Sequence, residues 1–276
     1  MSSTPSPGQP QGDARYFTET LARGLRILTQ FNEEATSLSL GDLAGRTGLD
    51  KATTLRLVNT LHSLGFLERS PTTRRYRPGL GVLRLGHAAL AASSLHDHAL
   101  PRLEELAAAT GETVNMGVLV GDSVLYIERL KRAELVTANI QVGSTLPAYC
   151  TSMGKMLLAT AGPAAASILD IGRFESLGPN TIVDSKALAV ELRKIRSRGW
   201  ASQDEEVAPG LLSLAAPIRD ETSTVIAAIN VAVPSSRFSM RKLVHDFLPL
   251  VMDCAKAISE LSGYRASAPT ATNPSE

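Results

Sequence analysis

Hydrophobic residues in the segment 38–67 recur at the spacing of two short helices joined by a tight turn. Over residues 40–46 the apolar side chains fall at i, i+3 and i+4, and Ser39 precedes them as a helix N-cap. Gly48 tolerates the positive φ of a turn, and Asp50 stands where a second helix would be capped. The pattern therefore predicts a helix-turn-helix.

The second helix is predicted to bury one face and to present the other to DNA. The residues expected in the core are Ala52, Leu55, Val58, Leu61 and Leu64. Short hydroxyls, an amide and long cations are the side chains that meet phosphates and base edges in a major groove. Those expected on the outer face are Lys51, Thr53, Thr54, Arg56 and Asn59. The alternative is an ordinary amphipathic helix with a solvated polar face.

Two short strands are predicted after this helix, at residues 65–69 and 74–77, with turn residues Ser70-Pro71-Thr72-Thr73 between them. They would form a wing with Arg74 and Arg75 near its tip, placed to lie against a phosphate backbone. Together with the helix-turn-helix, this wing predicts a winged helix-turn-helix.

In a preceding helix over residues 17–31, Arg23 lies off the apolar face. A solvated role is the default for Arg23, and a phosphate contact is the alternative.

Beyond the wing, the pattern alternates between helical and extended segments. Helices are predicted at residues 80–95, 102–110, 152–160, 164–171, 185–198 and 240–262, the last interrupted at Pro249. Strands are predicted at residues 113–120, 123–129, 137–142, 203–207, 212–218 and 223–233. Residues 145–150 are expected to form a loop. The order of these helices and strands along the chain favours an α+β ligand-sensor domain with an antiparallel sheet flanked by helices.

These segments predict two domains with a linker and two polar tails. Residues 1–15 are expected to be a disordered tail and residues 16–79 the DNA-binding domain. Residues 80–98 would form a linker helix whose apolar surplus predicts packing against a second copy. Residues 99–265 would form the effector-binding domain, and residues 266–276 a second disordered tail.

The charge distribution supports a DNA-binding end. The formal net charge is only +1, yet residues 1–80 hold 10 Lys and Arg against 7 Asp and Glu, and the remainder holds 18 against 20. Two cysteines make neither a disulfide framework nor a metal-ligand spacing. His96 and His98 are two apart on a helix, so they cannot share one ion. No metal, cofactor, signal peptide or membrane span is expected, and a cytoplasmic protein is predicted.

Four stretches carry a resemblance to a known family. They are residues 21–28 (LARGLRIL), Thr47-Gly48-Leu49, residues 146–155 (LPAYCTSMGK), and residues 205–210 followed by Ala215-Ala216-Pro217. Together they resemble the IclR-type transcriptional regulators over residues 17–262. The third stretch is most similar to the branch that controls protocatechuate and 4-hydroxybenzoate catabolism. The resemblance implies a homodimer or dimer of dimers on an operator in double-stranded DNA, and a GAF-like C-terminal domain that binds a small organic acid.

The resemblance also implies an effector site around the helix that begins at Ser152. Thr151 or Ser152 would cap this helix, and the N–H groups of Ser152, Met153 and Gly154 would receive a carboxylate. Tyr149 or Met153 would wall the apolar part of the ligand. The family pattern would bring four residues opposite: Gln203, Asp204, Leu211 and Ser213. The alternative interpretations are a plain helix cap for Ser152 and a satisfied core hydroxyl for Ser213.

Two other classes of function compete with this interpretation. An enzyme would need Cys150 as nucleophile with a histidine base, but no Gly-rich elbow is near, and packing explains His87 and His245 on their helices. A non-catalytic interaction module would present an apolar patch in place of the basic face. A regulator that is not an enzyme is therefore predicted, with its effector, operator and sign of control left open.

Overall fold

In a computed structural model, which describes residues 16–32, 35–91, 94–131 and 140–265, the chain divides into two compact units. The first unit ends at Ser93 and the second begins at Ser94. The predicted tails, 1–15 and 266–276, lie outside the described residues. None of the described helices is both long and apolar enough to cross a membrane.

The first unit contains the predicted winged helix-turn-helix. Its elements are α1 (Glu19–Leu28), α2 (Leu40–Thr47), α3 (Lys51–Ser63), β1 (Leu67–Arg69), β2 (Tyr76–Pro78) and α4 (Leu80–Ala91). Ser39 caps α2 in a reciprocal capping box with Asp42, and Gly48 ends it at a φ of 70°. The Asp50 side chain accepts from Thr53 N–H and so caps α3. The antiparallel pair β1–β2 is the wing.

The buried face of α3 differs from the prediction. Thr54 and Val58 are buried, whereas Ala52, Leu55 and Leu64 are exposed. Residues spaced by three rotate about 60° around a helix at each step, so a row of five cannot share one face. The packing of α3 against α1, α2 and β1 selects the face that contains Val58.

Apolar surface remains exposed on two helices of this unit. On α1, Leu21 and Leu25 are exposed, and the buried residues are Gly24 and Ile27. On α4, the exposed large apolar side chains are Leu80, Leu83 and Leu85. Of the helix predicted over residues 80–95, α4 covers the first part; residues 92 and 93 lie outside the described residues.

The second unit is built on a six-stranded antiparallel sheet, in the order β5-β4-β3-β8-β7-β6. Its elements in chain order are α5 (Ser94–Thr110), β3 (Thr113–Val120), β4 (Ser123–Leu130), β5 (Thr145–Pro147), α6 (Ser152–Thr160), α7 (Pro163–Leu169), α8 (Ser185–Arg198), β6 (Ala201–Asp204), β7 (Leu211–Arg219), β8 (Val225–Pro234) and α9 (Met240–Leu261). Helices α5 and α9 share one core cluster with the sheet, and α6 and α8 share another. The α+β prediction is confirmed.

Several predicted boundaries in this unit are wrong. Residues 145–150 were expected to form a loop, but Thr145–Pro147 is strand β5, paired with β4. The strand predicted near 137–142 falls mainly outside the described residues, and residues 140–142 are not a strand. Helix α5 begins before Pro101 and passes through it, and α9 continues through Pro249, which lies on an exposed side.

Candidate functional site

The outward face of α3 carries two cations and an amide. Lys51, Arg56 and Asn59 are exposed, where the sequence places them. Thr53 is half-buried, and its Oγ1 accepts a hydrogen bond from Arg56 Nη2 at 3.3 Å. These groups leave free donors on a convex helix face, which is the arrangement that base edges and phosphates require.

Thr54 does not belong to this surface. It is fully buried, so the prediction that it faces outward is wrong. Its Oγ1 donates to the carbonyl oxygen of Asp50 at 2.9 Å. A threonine that bonds the carbonyl one turn back brings no unsatisfied hydroxyl into the core. A polar residue type can therefore occupy a buried position that a binary pattern assigns to solvent.

The two wing arginines make different contacts. Arg74 is exposed next to the wing with a φ of 56°, and its side chain pairs with nothing in the described part of the chain. Arg75 donates from Nη2 to Ser37 O at 2.8 Å and to Asp42 Oδ2 at 3.0 Å. A hydrogen bond from the Ser39 backbone N–H is the main cause of the lowered pKa of Asp42. Arg75 thus ties the wing to the start of α2, while Arg74 stays available.

A histidine and an arginine near the wing were missed by the sequence reasoning. His62 and Arg69 line a surface notch together with Arg74, between the end of α3 and the wing. The signal was their position in the last turn of α3 and at the end of β1. Arg23, in contrast, forms a surface ion pair with Glu19 at 2.9 Å, in keeping with the solvated role that was its default.

A partly enclosed cavity in the second unit contains some of the predicted effector residues. Strands β3 to β8 and the N-cap of α6 line it. The lining residues are Asn115, Tyr126, Arg129, Ile140, Leu146, Thr151, Gln203, Val207, Leu211, Ser213, Asn230 and Ala232. The structure thus brings together four of the predicted effector residues: Thr151, Gln203, Leu211 and Ser213.

Ser152 lies behind the cavity wall and is fully buried. Its Oγ is 2.7 Å from Ser213 Oγ and accepts from Asn230 Nδ2 at 3.3 Å. Thr151 is the residue that caps α6, and its Oγ1 accepts from the Gly154 N–H at 3.0 Å. One of the three N–H groups expected to receive a carboxylate is therefore already bonded within the protein.

Besides Ser152, four other predicted residues do not line the cavity. Tyr149 stacks on Phe174 with ring centroids 4.6 Å apart. Met153 is fully buried in the α6–α8 core, and Asp204 is exposed. Gly154 packs against backbone, because a Cβ there would lie 2.3 Å from Ala148 O.

A chain of polar side chains crosses the floor of the cavity. Arg129 Nη1 donates to Asn115 Oδ1 at 2.9 Å, and Asn115 Nδ2 donates to Asn230 Oδ1 at 2.7 Å. From Asn230 the chain continues through Ser152 to Ser213. Sequence reasoning missed Arg129, Asn115 and Asn230. The signal was present, because each is a polar residue within a strand that is otherwise largely apolar.

The loop after β6 is fixed to α6 by charge. Lys155 Nζ donates to Glu206 Oε1, and both side chains are buried. Burial is the largest influence on Glu206 and raises its pKa, although Lys155 acts to lower it. The Glu206 N–H donates to Gln203 Oε1 at 2.9 Å, and Gln203 Nε2 donates to Leu211 O at 3.1 Å. This loop therefore holds one wall of the cavity in place.

The arrangement offers binding groups and no nucleophile. Cys150 is fully buried, its thiol donates to Pro147 O at 3.6 Å, and burial raises its pKa to about 12. A thiol at that pKa is almost entirely protonated at neutral pH. Within the described ranges, no group of His, Cys, Asp and Glu side chains could hold a metal ion.

Comparison with known proteins agrees with both halves of the chain. The family model described as "IclR helix-turn-helix domain" matches residues 20–71. The family model described as "Bacterial transcriptional regulator IclR C-terminal" matches residues 87–260. The Pca regulon regulatory protein of Pseudomonas putida is 34% identical over 247 residues, covering 89% of this chain and 84% of that protein.

Two solved structures extend the likeness to the fold. The IclR transcriptional regulator of Alicyclobacillus acidocaldarius superposes with a TM-score of 0.78 at 26% identity, covering 90% of this chain and all of that one (100%). An IclR homolog of Microbacterium hydrocarbonoxydans, complexed with 4-hydroxybenzoate, has a TM-score of 0.73 at 29% identity, covering 88% and 98% of the two chains. The curated relatives are named as regulators, which confirms the prediction of a regulator over an enzyme.

Proposed function

The chain belongs to the IclR family of ligand-responsive transcriptional regulators, and on that premise we propose that it controls a catabolic operon for aromatic or related organic acids. One unit would bind an operator in double-stranded DNA, and the other would bind the acid. Effector binding changes operator affinity only if the acid binds one arrangement of the protein better than another.

The cavity beside the N-terminus of α6 is the observation that carries this proposal. A guanidinium, a serine hydroxyl and a helix N-cap face one enclosed space, through Arg129, Ser213 and Thr151. Apolar side chains such as Leu146 and Val207 form other parts of the wall. A few polar groups in a largely apolar concave site suit a small organic anion.

The aromatic assignment is supported by two relatives. One is the regulatory protein of the Pca regulon, and the other was crystallised with 4-hydroxybenzoate. The segment 146–155, which includes the cavity residues Leu146 and Thr151, is also the stretch most similar to that branch by sequence. We therefore place hydroxylated benzoates first among candidate effectors.

Operator binding would use the outer face of α3, with Lys51, Arg56 and Asn59 toward the major groove and Arg74 toward a phosphate. Winged helix-turn-helix proteins commonly bind as dimers to repeated half-sites. The exposed leucines of α1 and α4 support a homodimer or dimer of dimers here, since exposed apolar patches mark interaction surfaces.

The test is a mobility-shift titration with the intergenic DNA upstream of the gene. The full-length protein should retard this DNA, and one acid from a panel of aromatic and aliphatic acids should shift the retarded fraction at micromolar concentration. Unrelated DNA of equal length at the same salt concentration is the control. The proposal fails if no acid in the panel binds the protein or alters its affinity for DNA.

A further inference from the structure

Arg129 occupies an unusual electrostatic position in the cavity. It stands near the end of β4, opposite Asn115 on β3, and its guanidinium is half-buried. Its Nη1 donates to the neutral amide oxygen of Asn115 at 2.9 Å. Across the described segments of the chain, no carboxylate forms an ion pair with it.

Among the described residues, no negative charge compensates the Arg129 guanidinium. Burial lowers the pKa of Arg129, because partial removal from water disfavours the charged form. Arginine nevertheless stays protonated in proteins, so the charge persists in the cavity. An anion that enters would meet a guanidinium with further N–H donors.

We propose that Arg129 receives the carboxylate of the effector, and that Ser213 donates a hydrogen bond to a second polar group on the same ligand. This inference rests on the proposed function and specifies how its cavity selects ligands. The group that binds the carboxylate is then Arg129, in place of the N–H groups at the N-terminus of α6 that the sequence analysis assigned. The helix end carries only about half a unit charge, and its Gly154 N–H is already bonded to Thr151.

The direction of the polar chain assigns the role of Ser213. A guanidinium can only donate, so Asn115 must turn its oxygen to Arg129 and its amide nitrogen to Asn230. By the same logic Asn230 turns its nitrogen to Ser152 Oγ. Ser152 then has a proton to donate.

Either hydroxyl could donate across the 2.7 Å between Ser152 Oγ and Ser213 Oγ, and we infer that Ser152 donates and Ser213 accepts. Once Ser213 accepts from Ser152, its own hydroxyl hydrogen is directed elsewhere, and Ser213 lines the cavity. In that orientation Ser213 presents a hydrogen-bond donor to the ligand. The ligand class that fits is an acid with a second oxygen acceptor, such as a hydroxybenzoate or a short hydroxy acid.

The experiment compares acids with their neutral amides by titration calorimetry on the full-length protein. The probes are 4-hydroxybenzoate with 4-hydroxybenzamide, and lactate with lactamide. The parent should bind at least one acid more tightly than its amide. In Arg129→Gln, affinity for that acid should fall roughly ten- to hundredfold, because bonds to a charged group are lost, while affinity for the amide stays within about twofold.

Arg219→Gln is the matched control, since Arg219 lies on β7 of the same sheet and is absent from the cavity wall. It should keep the parental ratio of acid to amide affinity. Retention of that ratio in Arg129→Gln overturns the proposal. If the parent binds none of the acids, the proposed function itself fails, and the inference fails with it.

Two further variants guard against misfolding and test the second contact. Arg129→Lys keeps the charge and loses the planar fork, so acid affinity should drop several-fold with amide affinity unchanged. Unchanged affinity for both probes contradicts a carboxylate at Arg129. Ser213→Ala should abolish the preference for 4-hydroxybenzoate over benzoate, and an unaltered preference removes Ser213 from the proposal.

Discussion

Lys155 and Glu206 form an ion pair that is shielded from solvent on both sides, with side chains 2% and 8% exposed. Lys155 belongs to α6, and Glu206 belongs to the loop that follows β6. The second carboxylate oxygen of Glu206 is buried without a hydrogen-bond partner among the described residues. The pair therefore joins the two elements that flank the cavity, and it depends on charge balance for its stability.

Replacing Lys155 by Met should destabilise the effector-binding unit by about 3–5 kcal/mol, because Glu206 would remain as an uncompensated buried charge. The double variant with Glu206→Leu should recover much of that loss. Urea unfolding followed by tryptophan fluorescence measures both, since Trp200 packs against a core of this unit. Additive losses in the double variant would show that the two side chains are not coupled.

The Lys155→Met variant should also depend on pH. Burial already raises the pKa of Glu206 above its ordinary value of 4.5, and loss of the lysine raises it further. The folded variant then binds more protons than the unfolded chain above pH 4.5, so its stability falls as pH increases. Urea unfolding at pH 5.5 and at pH 8 gives the loss in unfolding free energy of the variant relative to the parent at each pH. This loss should be smaller at pH 5.5 than at pH 8. A deficit that grows on acidification would contradict a raised pKa.

Arg56→Ala should weaken operator binding by about 1–3 kcal/mol and relax preference at one operator position, as expected if Arg56 contacts a guanine. Thr54→Val should leave operator affinity unchanged, because its hydroxyl is bonded to Asp50 inside the domain. Fluorescence anisotropy with operator variants gives both values, and Arg84→Ala on α4 serves as a surface-cation control. Uniform weakening across all operator variants would assign Arg56 to a phosphate.

Arg74→Ala should reduce the slope of log affinity against log salt by about one unit, as for a lost phosphate contact. Arg75→Ala should act through folding, because its guanidinium bonds Ser37 and Asp42. Arg77→Ala is the control, since Arg77 is paired with Glu68 on the wing. An unchanged slope for Arg74→Ala, measured from 50 to 200 mM salt, would remove this residue from the DNA interface.

Neither cysteine should react with a thiol reagent in the folded protein at pH 7.5. Burial is the main cause that raises the pKa of Cys150 and of Cys254 to about 12, so the reactive thiolate is scarce. Absorbance after addition of a disulfide reagent should rise only when denaturant is added. Rapid labelling of one thiol in the native state would revive the enzyme hypothesis.

Local rules predicted the helix-turn-helix well because each signal acts over a few residues. The capping box at Ser39, the left-handed Gly48 and the cap at Asp50 are all set by neighbouring residues. The face of α3 was harder to predict, since it depends on three packing partners. Strand β5 is three residues long, and pairing with β4 defines it, so the sequence holds almost no signal for it.

In the candidate effector site, too, some residues could be predicted from the sequence and others could not. Thr151 and Ser213 could be inferred from local caps and from family likeness, but the link from Arg129 to Asn230 could not. Asn115 and Asn230 are 115 positions apart and meet because β3 pairs with β8. Such a contact follows from sheet order, which no short-range pattern contains.

Gly154 determines which parts of the site can be redesigned. A Cβ at this position would lie 2.3 Å from Ala148 O and 2.4 Å from Ala148 Cα, and backbone atoms cannot rotate away. A library that seeks biosensors for new acids should therefore keep Gly154 constant and diversify wall residues such as Leu146, Val207 and Leu211. Those side chains can change size or polarity while the turn that carries Thr151 keeps its geometry.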